Sequence, residues 1–382
     1  MSFNPHYETV NQSQSAMLHN VEKSRAQRQR SKYIVIGSVV GILALIAIGV
    51  GVGVGVSKHN SSSSSSSTTS GDPSSFAKNP NLHKSLYGIA YTPDGSIMPD
   101  CGAELDQVIK DVQLMSQLTT RVRLYGSDCN QSAIVLEAIK QTKVDLQVYL
   151  GNYPTVDDDS VFTRQNDAIK QALQTYGSDH VAGITVGNEV ILNAVTASSE
   201  TDPNGSAGNA AGAKLVEYIA DTRSMLKELN MDIPVGNSDA GSFFNDKVLE
   251  AVDYGLSNVH PWFAKTSIDD AAAWTWNFFQ ETNVEPASKL SNAPKMYIAE
   301  TGWPTASVDT ATKTNGASDA SVANLQIFLD TFVCQANNNG TGYFFFEFKD
   351  EKWKEDKYGG VEGSWGLTNG QRELKDITIP NC

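Results

Sequence analysis

The chain has 382 residues, enough for one large domain or two ordinary ones, with aromatic side chains to furnish a sizeable core. Asp and Glu number 43 against 29 Lys and Arg, and the formal net charge of −14 argues against a nucleic-acid partner, which calls for a basic face. The six histidines form no His-Glu-x-x-His cluster and the four cysteines no Cys-x-x-Cys pair, so no metal-site motif is present, and no run is followed by a Gly-x-Gly-x-x-Gly cofactor turn.

Residues 1–32 are polar with few large apolar side chains, which predicts a disordered tail. Its end carries Lys23, Arg25, Arg28, Arg30 and Lys32 against the single acid Glu22. An uncharged apolar run, Tyr33–Val56, follows. A helix of that length rises about 36 Å, enough to cross a hydrocarbon core of about 30 Å. A secretory signal is the competing reading, with cleavage near Gly55–Ser57, but its apolar core is ordinarily shorter and its basic segment briefer. The run therefore predicts a retained transmembrane helix (33–56). Basic residues on its N-terminal flank, with Lys58 alone beyond, place the N-terminus in the cytoplasm and the rest outside, a type II plasma-membrane topology. Residues 57–82 are Ser/Thr-rich and read as an exposed linker.

A folded domain is expected over 83–382. Within it Asn130, Asn204 and Asn339 open Asn-x-Ser/Thr sequons, as does Asn60 in the linker, which lies too near the membrane to favour its use. In an extracytoplasmic segment the four cysteines read as disulfides. Three connectivities are possible, and local pairing favours Cys101–Cys129 and Cys334–Cys382, the second pinning the C-terminus.

Apolar, β-branched runs then alternate with helix-length segments. The runs are Leu86–Thr92, Arg121–Tyr125, Leu146–Leu150, Val181–Glu189, Ile233–Ser238, Leu256–Trp262, Met296–Glu300 and Tyr343–Phe348. Between the first two, Leu105, Val108, Ile109, Val112 and Leu118 recur at helical spacing over Glu104–Leu118. Eight such units predict an α/β fold, a (β/α)8 TIM barrel; a doubly wound open sheet is the alternative.

The fourth and seventh runs share a design. Each begins as a strand buried on both faces and ends on a carboxylate, Glu189 and Glu300, where a barrel keeps its chemistry. Alone, either reads as a strand running into a solvated loop; together they read as a catalytic pair. Glycoside cleavage needs one carboxyl group holding a proton for the leaving oxygen and one ionised group to attack or to activate water. Aromatic side chains at successive strand ends, among them Tyr91, Tyr125, Trp262, Trp303 and Trp353, predict a platform for sugar rings.

Val186-Gly187-Asn188-Glu189 and Ala299-Glu300-Thr301-Gly302-Trp303-Pro304 resemble glycoside hydrolase family 17, the β-1,3-glucanase family, over residues 84–382, and Asp350-Glu351 with Lys354 is similar to its segment after the eighth strand. The tail, apolar run and Ser-rich linker resemble the fungal cell-wall branch. The resemblance implies β-1,3-glucan as substrate, retention of configuration, no cofactor, Glu189 as acid/base and Glu300 as nucleophile. It further implies that Asn188 bonds the sugar 2-hydroxyl and that Glu351 and Lys354 support the nucleophile. Tyr91, Tyr125, Trp262 and Trp303 are the candidate substrate contacts. An endo-acting hydrolase, a glucanosyltransferase using the same intermediate, and a non-catalytic wall-glucan-binding protein remain as readings, the two carboxylates favouring an enzyme.

Overall fold

A computed structural model describes residues 71–382. The predicted tail, transmembrane helix and most of the linker lie outside the described residues, among which no helix is long and apolar enough to cross a membrane.

Eight parallel strands close in sequence order into a barrel. They are β1 (Gly88–Ala90), β2 (Arg121–Arg123), β3 (Gln147–Asn152), β4 (Val181–Asn188), β5 (Val235–Ala240), β6 (Tyr254–Asn258), β7 (Lys295–Thr301) and β8 (Tyr343–Phe345). The expected runs coincide with these strands, although β1, β2 and β8 keep only three paired residues and β6 ends at Asn258 rather than Trp262. Pro261 cannot donate to a ladder, and the chain turns over residues 261–265.

The outer layer comprises α1 (Leu105–Met115), α2 (Gln131–Thr142), α3 (Asp159–Tyr176), α4 (Val190–Ala197), α5 (Ser206–Glu228), α6 (Asp246–Ala251), α7 (Ile268–Phe279), α8 (Val322–Asn338) and α9 (Lys352–Tyr358). Side chains fix several starts. Asp158 accepts from the Ser160 N–H at 2.9 Å, Asn245 from Lys247 at 3.1 Å, and Ser321 from Asn324 at 3.1 Å. Each such cap contributes about 1 kcal/mol.

The barrel interior is filled by rings. Tyr149 stands edge-on to Tyr254 and Phe344 at centroid distances of 5.5 and 5.2 Å, and the Tyr254 hydroxyl meets Thr185 Oγ1 at 2.9 Å. Such bulk needs space opposite, which glycine provides: a Cβ on Gly236 would fall 2.2 Å from Tyr254 Cε2. Both disulfides form as expected. Cys101–Cys129 joins the loop after β1 to that after β2, and Cys334–Cys382 fastens the C-terminus to α8.

Two irregularities aim the site. On β4 the inward positions alternate through Thr185, which would turn Asn188 outward. The register with β5 shifts between Thr185 and Asn188, and Gly187 adopts φ 93°, a left-handed value that suits glycine. Asn188 is thereby turned into the barrel. On β7, Ser257 pairs with Ile298 but Asn258 with Glu300, so Ala299 is an extra residue and Glu300 also turns inward.

Candidate active site

The carboxyl end of the barrel is organised by Arg123, whose side chain is 1% exposed. Its Nη1 donates to Glu300 Oε1 at 2.9 Å and to the Ala299 carbonyl at 3.3 Å; its Nη2 donates to Asn188 Oδ1 at 2.7 Å and to Ser238 Oγ at 2.9 Å. One guanidinium on β2 thus binds the ends of β4, β5 and β7. The Tyr125 ring lies 4.3 Å from its Cζ, a cation–π contact.

Glu300 is the more strongly held carboxylate. His260 Nε2 donates to its Oε2 at 3.0 Å while Arg123 binds Oε1. Burial works to raise its pKa, but His260 and Arg123 outweigh burial and bring the group down to about 2. It is ionised at any ordinary pH. His260 keeps its ring plane by edge contacts with Phe263, Phe346 and Trp365.

Glu189 is set the opposite way. Burial, then the charge of Glu300, raises its pKa, and a hydrogen bond from Asn258 Nδ2 at 3.0 Å only partly offsets them. The half-buried carboxyl group therefore holds its proton to higher pH than an ordinary glutamate. Asn188 Oδ1 accepts from Arg123, and more weakly from Ser238 Oγ at 3.3 Å and Asn258 Nδ2 at 3.4 Å. With that oxygen occupied, the Asn188 amide nitrogen is the end left to donate to a ligand.

Lys354 and Glu351 stand one step away. Lys354 Nζ lies 2.6 Å from Glu347 Oε2 and 2.5 Å from Glu351 Oε2, all three side chains nearly buried. Among the described residues no hydrogen bond or ion pair joins either Lys354 or Glu351 to Glu300; Glu347, paired with Lys354, feels both carboxylates, its pKa driven well up by burial, then by Glu351, with Glu300 adding. Glu362, half-buried in the loop after α9, is raised by burial and lowered by Lys354 and His260.

The expected aromatic platform is corrected in part. Tyr91 is 1% exposed and its hydroxyl donates to Asp111 on α1 at 2.7 Å, beside Lys349 and Arg372, so its ring is part of the wall between barrel and helices. Trp303 is wholly buried, donates from Nε1 to the Asp319 carbonyl at 3.0 Å and meets the buried Trp262 edge-on at 5.3 Å. These two indoles pack the loops after β6 and β7 together and offer no face to a sugar. Tyr125 is at the site as expected, and its hydroxyl pKa is raised by burial and then by Glu300. The faces open to a ligand include Tyr153 and Tyr358, 41% and 44% exposed, with the Tyr153 hydroxyl within electrostatic reach of Glu189.

Arg123, Asn258, Ser238 and Glu362 are absent from the sequence expectation, whereas His260 and Glu347 stand at the ends of the sixth and eighth runs, where a barrel collects its site. An arginine two residues into an apolar strand was a usable signal for Arg123, since a charge there must meet a partner. Glu362 follows Gly359 and Gly360 at φ 69° and 58°, a turn that reads as ordinary loop.

A family model, the BtgE/BtgC glycoside hydrolase domain, matches residues 88–366. A probable glucan endo-1,3-beta-glucosidase btgC of Aspergillus flavus is 36% identical over 327 residues, 82% of this chain and 46% of that protein. The glucan endo-1,3-beta-glucosidase btgC of Emericella nidulans is 33% identical over 318 residues, 79% of this chain and 47% of that protein. The chain thus spans about half the length of the curated relatives it matches. The crystal structure of a glycoside hydrolase family 17 beta-1,3-glucanosyltransferase from Rhizomucor miehei superimposes with a TM-score of 0.63 at 25% identity, covering 78% of this chain and 98% of that one. By the match across the barrel, the chain belongs to the BtgE/BtgC glycoside hydrolase domain family.

Proposed function

We propose that the chain is an endo-acting, retaining glycosidase that cleaves β-1,3-glucan of the cell wall by double displacement. The observation that carries this reading is the opposed setting of two neighbouring carboxyl groups, Glu300 held ionised and Glu189 held towards its protonated form. A Glu300 oxygen attacks the anomeric carbon as Glu189 gives its proton to the departing glycosidic oxygen, leaving a glycosyl ester on Glu300. Glu189, now ionised, takes a proton from water as that water displaces Glu300 from the same carbon. Asn188 Nδ2, which faces the Tyr153 hydroxyl, is the donor for the sugar 2-hydroxyl.

A glucanosyltransferase is the second reading, favoured by the likeness to the Rhizomucor miehei transferase. A glucan hydroxyl then replaces water as the acceptor, and the residues keep their roles.

Laminarin and an end-labelled laminari-oligosaccharide test both readings. Glu300→Ala should lose nearly all turnover and be rescued by azide as a glycosyl azide of inverted configuration. Glu189→Ala should lose about 10²–10⁴-fold on laminarin and give the retained azide. Products longer than the labelled donor would identify transfer. Near-normal activity in both variants would remove the glycosidase reading.

The setting we propose is the outer face of the plasma membrane, with Tyr33–Val56 as a type II anchor and the Ser-rich stretch as spacer. Asn130, Asn204 and Asn339, all exposed, are the proposed N-glycan sites.

A further inference from the structure

We infer that Asp239 is the positioning residue for the acid/base, holding Glu189 by capping helix α4 from the neighbouring strand. Glu189 is the residue immediately before α4, where a side chain ordinarily accepts from the second or third N–H of the helix. Glu189 makes no such bond. Asp239, at the end of β5, makes both instead: Oδ2 accepts from the Ile191 N–H at 2.9 Å and Oδ1 from the Leu192 N–H at 3.3 Å. Oδ1 also takes the Ala240 N–H at 2.9 Å, so the carboxyl is locked to its own strand as well.

Three features make this arrangement specific to the acid/base. Asp239 has no exposed surface, so its acceptors are not shared with solvent. Glu189 stands at φ 57°, a left-handed conformation that costs an ordinary residue roughly 1–2 kcal/mol and persists only where neighbours over-determine it. The neighbours that do so are Asp239 and the Ser238 carbonyl, which accepts the Glu189 N–H at 3.2 Å, consecutive residues of β5. Relieved of capping its own helix, the Glu189 side chain is free to reach Asn258 across the cleft. Burial, and then the Glu189 charge, raise the Asp239 pKa while the three N–H groups oppose them; the cap needs only two acceptor oxygens aimed at α4.

This rests on Glu189 being the acid/base, and the test separates the two. The full chain is assayed as wild type, Asp239→Ala and Asp239→Asn on laminarin and on 2,4-dinitrophenyl β-laminaribioside, whose leaving group needs no proton. A misplaced acid should cost about 10²-fold in kcat/KM on laminarin, with the activated glycoside nearly unchanged and serving as the folding control. The asparagine variant, keeping one acceptor, should lose less. In a Glu189→Ala background Asp239→Ala should cost laminarin nothing further. Equal losses on both substrates in either variant, no loss on laminarin, or additive losses in the double variant would overturn the assignment. A wild type inactive on both substrates would fail the functional reading instead.

Discussion

At the scale of single residues, two glutamates of identical chemistry are separated in acidity by what each touches. Glu300 meets a guanidinium and an imidazole N–H; Glu189 meets one neutral amide and the field of Glu300. His260→Phe tests this, because a phenyl ring preserves the contacts with Phe263, Phe346 and Trp365 while removing the donor to Glu300. A lost donor destabilises the ionised form, so the Glu300 pKa should rise from about 2. The acid limb of kcat/KM, which reports the free enzyme, should move to higher pH, and the basic limb, belonging to Glu189, should move up by less, because His260 also helps to hold that carboxyl down but is only a lesser influence on it. An unchanged acid limb would show that His260 does not set it. Glu189 and Glu300 were legible because a carboxylate ending an apolar run is unusual, and twice more so. The groups that tune them were not, since nothing in Ser257-Asn258-Val259-His260 says that β6 stops between them.

The elements explain where alternation misleads. Strict period-two reading of β4 and β7 would send Asn188 and Glu300 to the helical layer; the irregularities at Gly187 and Ala299 reverse both. Such a residue is visible only once the partner strand fixes the register. The turn from β8 into α9 carries another large electrostatic commitment, Lys354 between Glu347 and Glu351. Lys354→Met should leave two nearly buried carboxylates facing each other without their cation. The expected destabilisation is about 3–5 kcal/mol, read by urea unfolding, and lessened at low pH, where protonation relieves the repulsion. A variant as stable as wild type at neutral pH would mean that Lys354 does not hold this turn together.

For the whole molecule, eight apolar runs alternating with helical segments were enough for a parallel sheet covered on both faces, because only a βαβ repeat buries strands of that composition so; the missing Gly-x-Gly-x-x-Gly turn told against an open sheet, and the sheet is closed. The two disulfides were legible from local pairing. The aromatic platform was not, because an indole serves packing and sugar binding equally well, and Trp303 with Trp262 went to packing. The proposed anchor predicts that protease added to intact wall-stripped cells removes the barrel and spares residues 1–32. A protected barrel with an exposed N-terminus would reverse the orientation.

The grip on Glu300 also bears on how long the sugar stays attached. Once Glu300 is esterified its charge is gone, while Arg123 remains cationic and 1% exposed with its main partner neutralised. Each hydrogen bond that holds the free carboxylate near pKa 2 therefore makes it a better leaving group from the glycosyl ester. The site is built to let go. The bound sugar should be short-lived in the wild type, so that rapid quenching of a labelled laminari-oligosaccharide traps little label on protein. His260→Phe, with a more basic Glu300, should trap more, and a longer-lived ester gives a second glucan chain more time to arrive before water does.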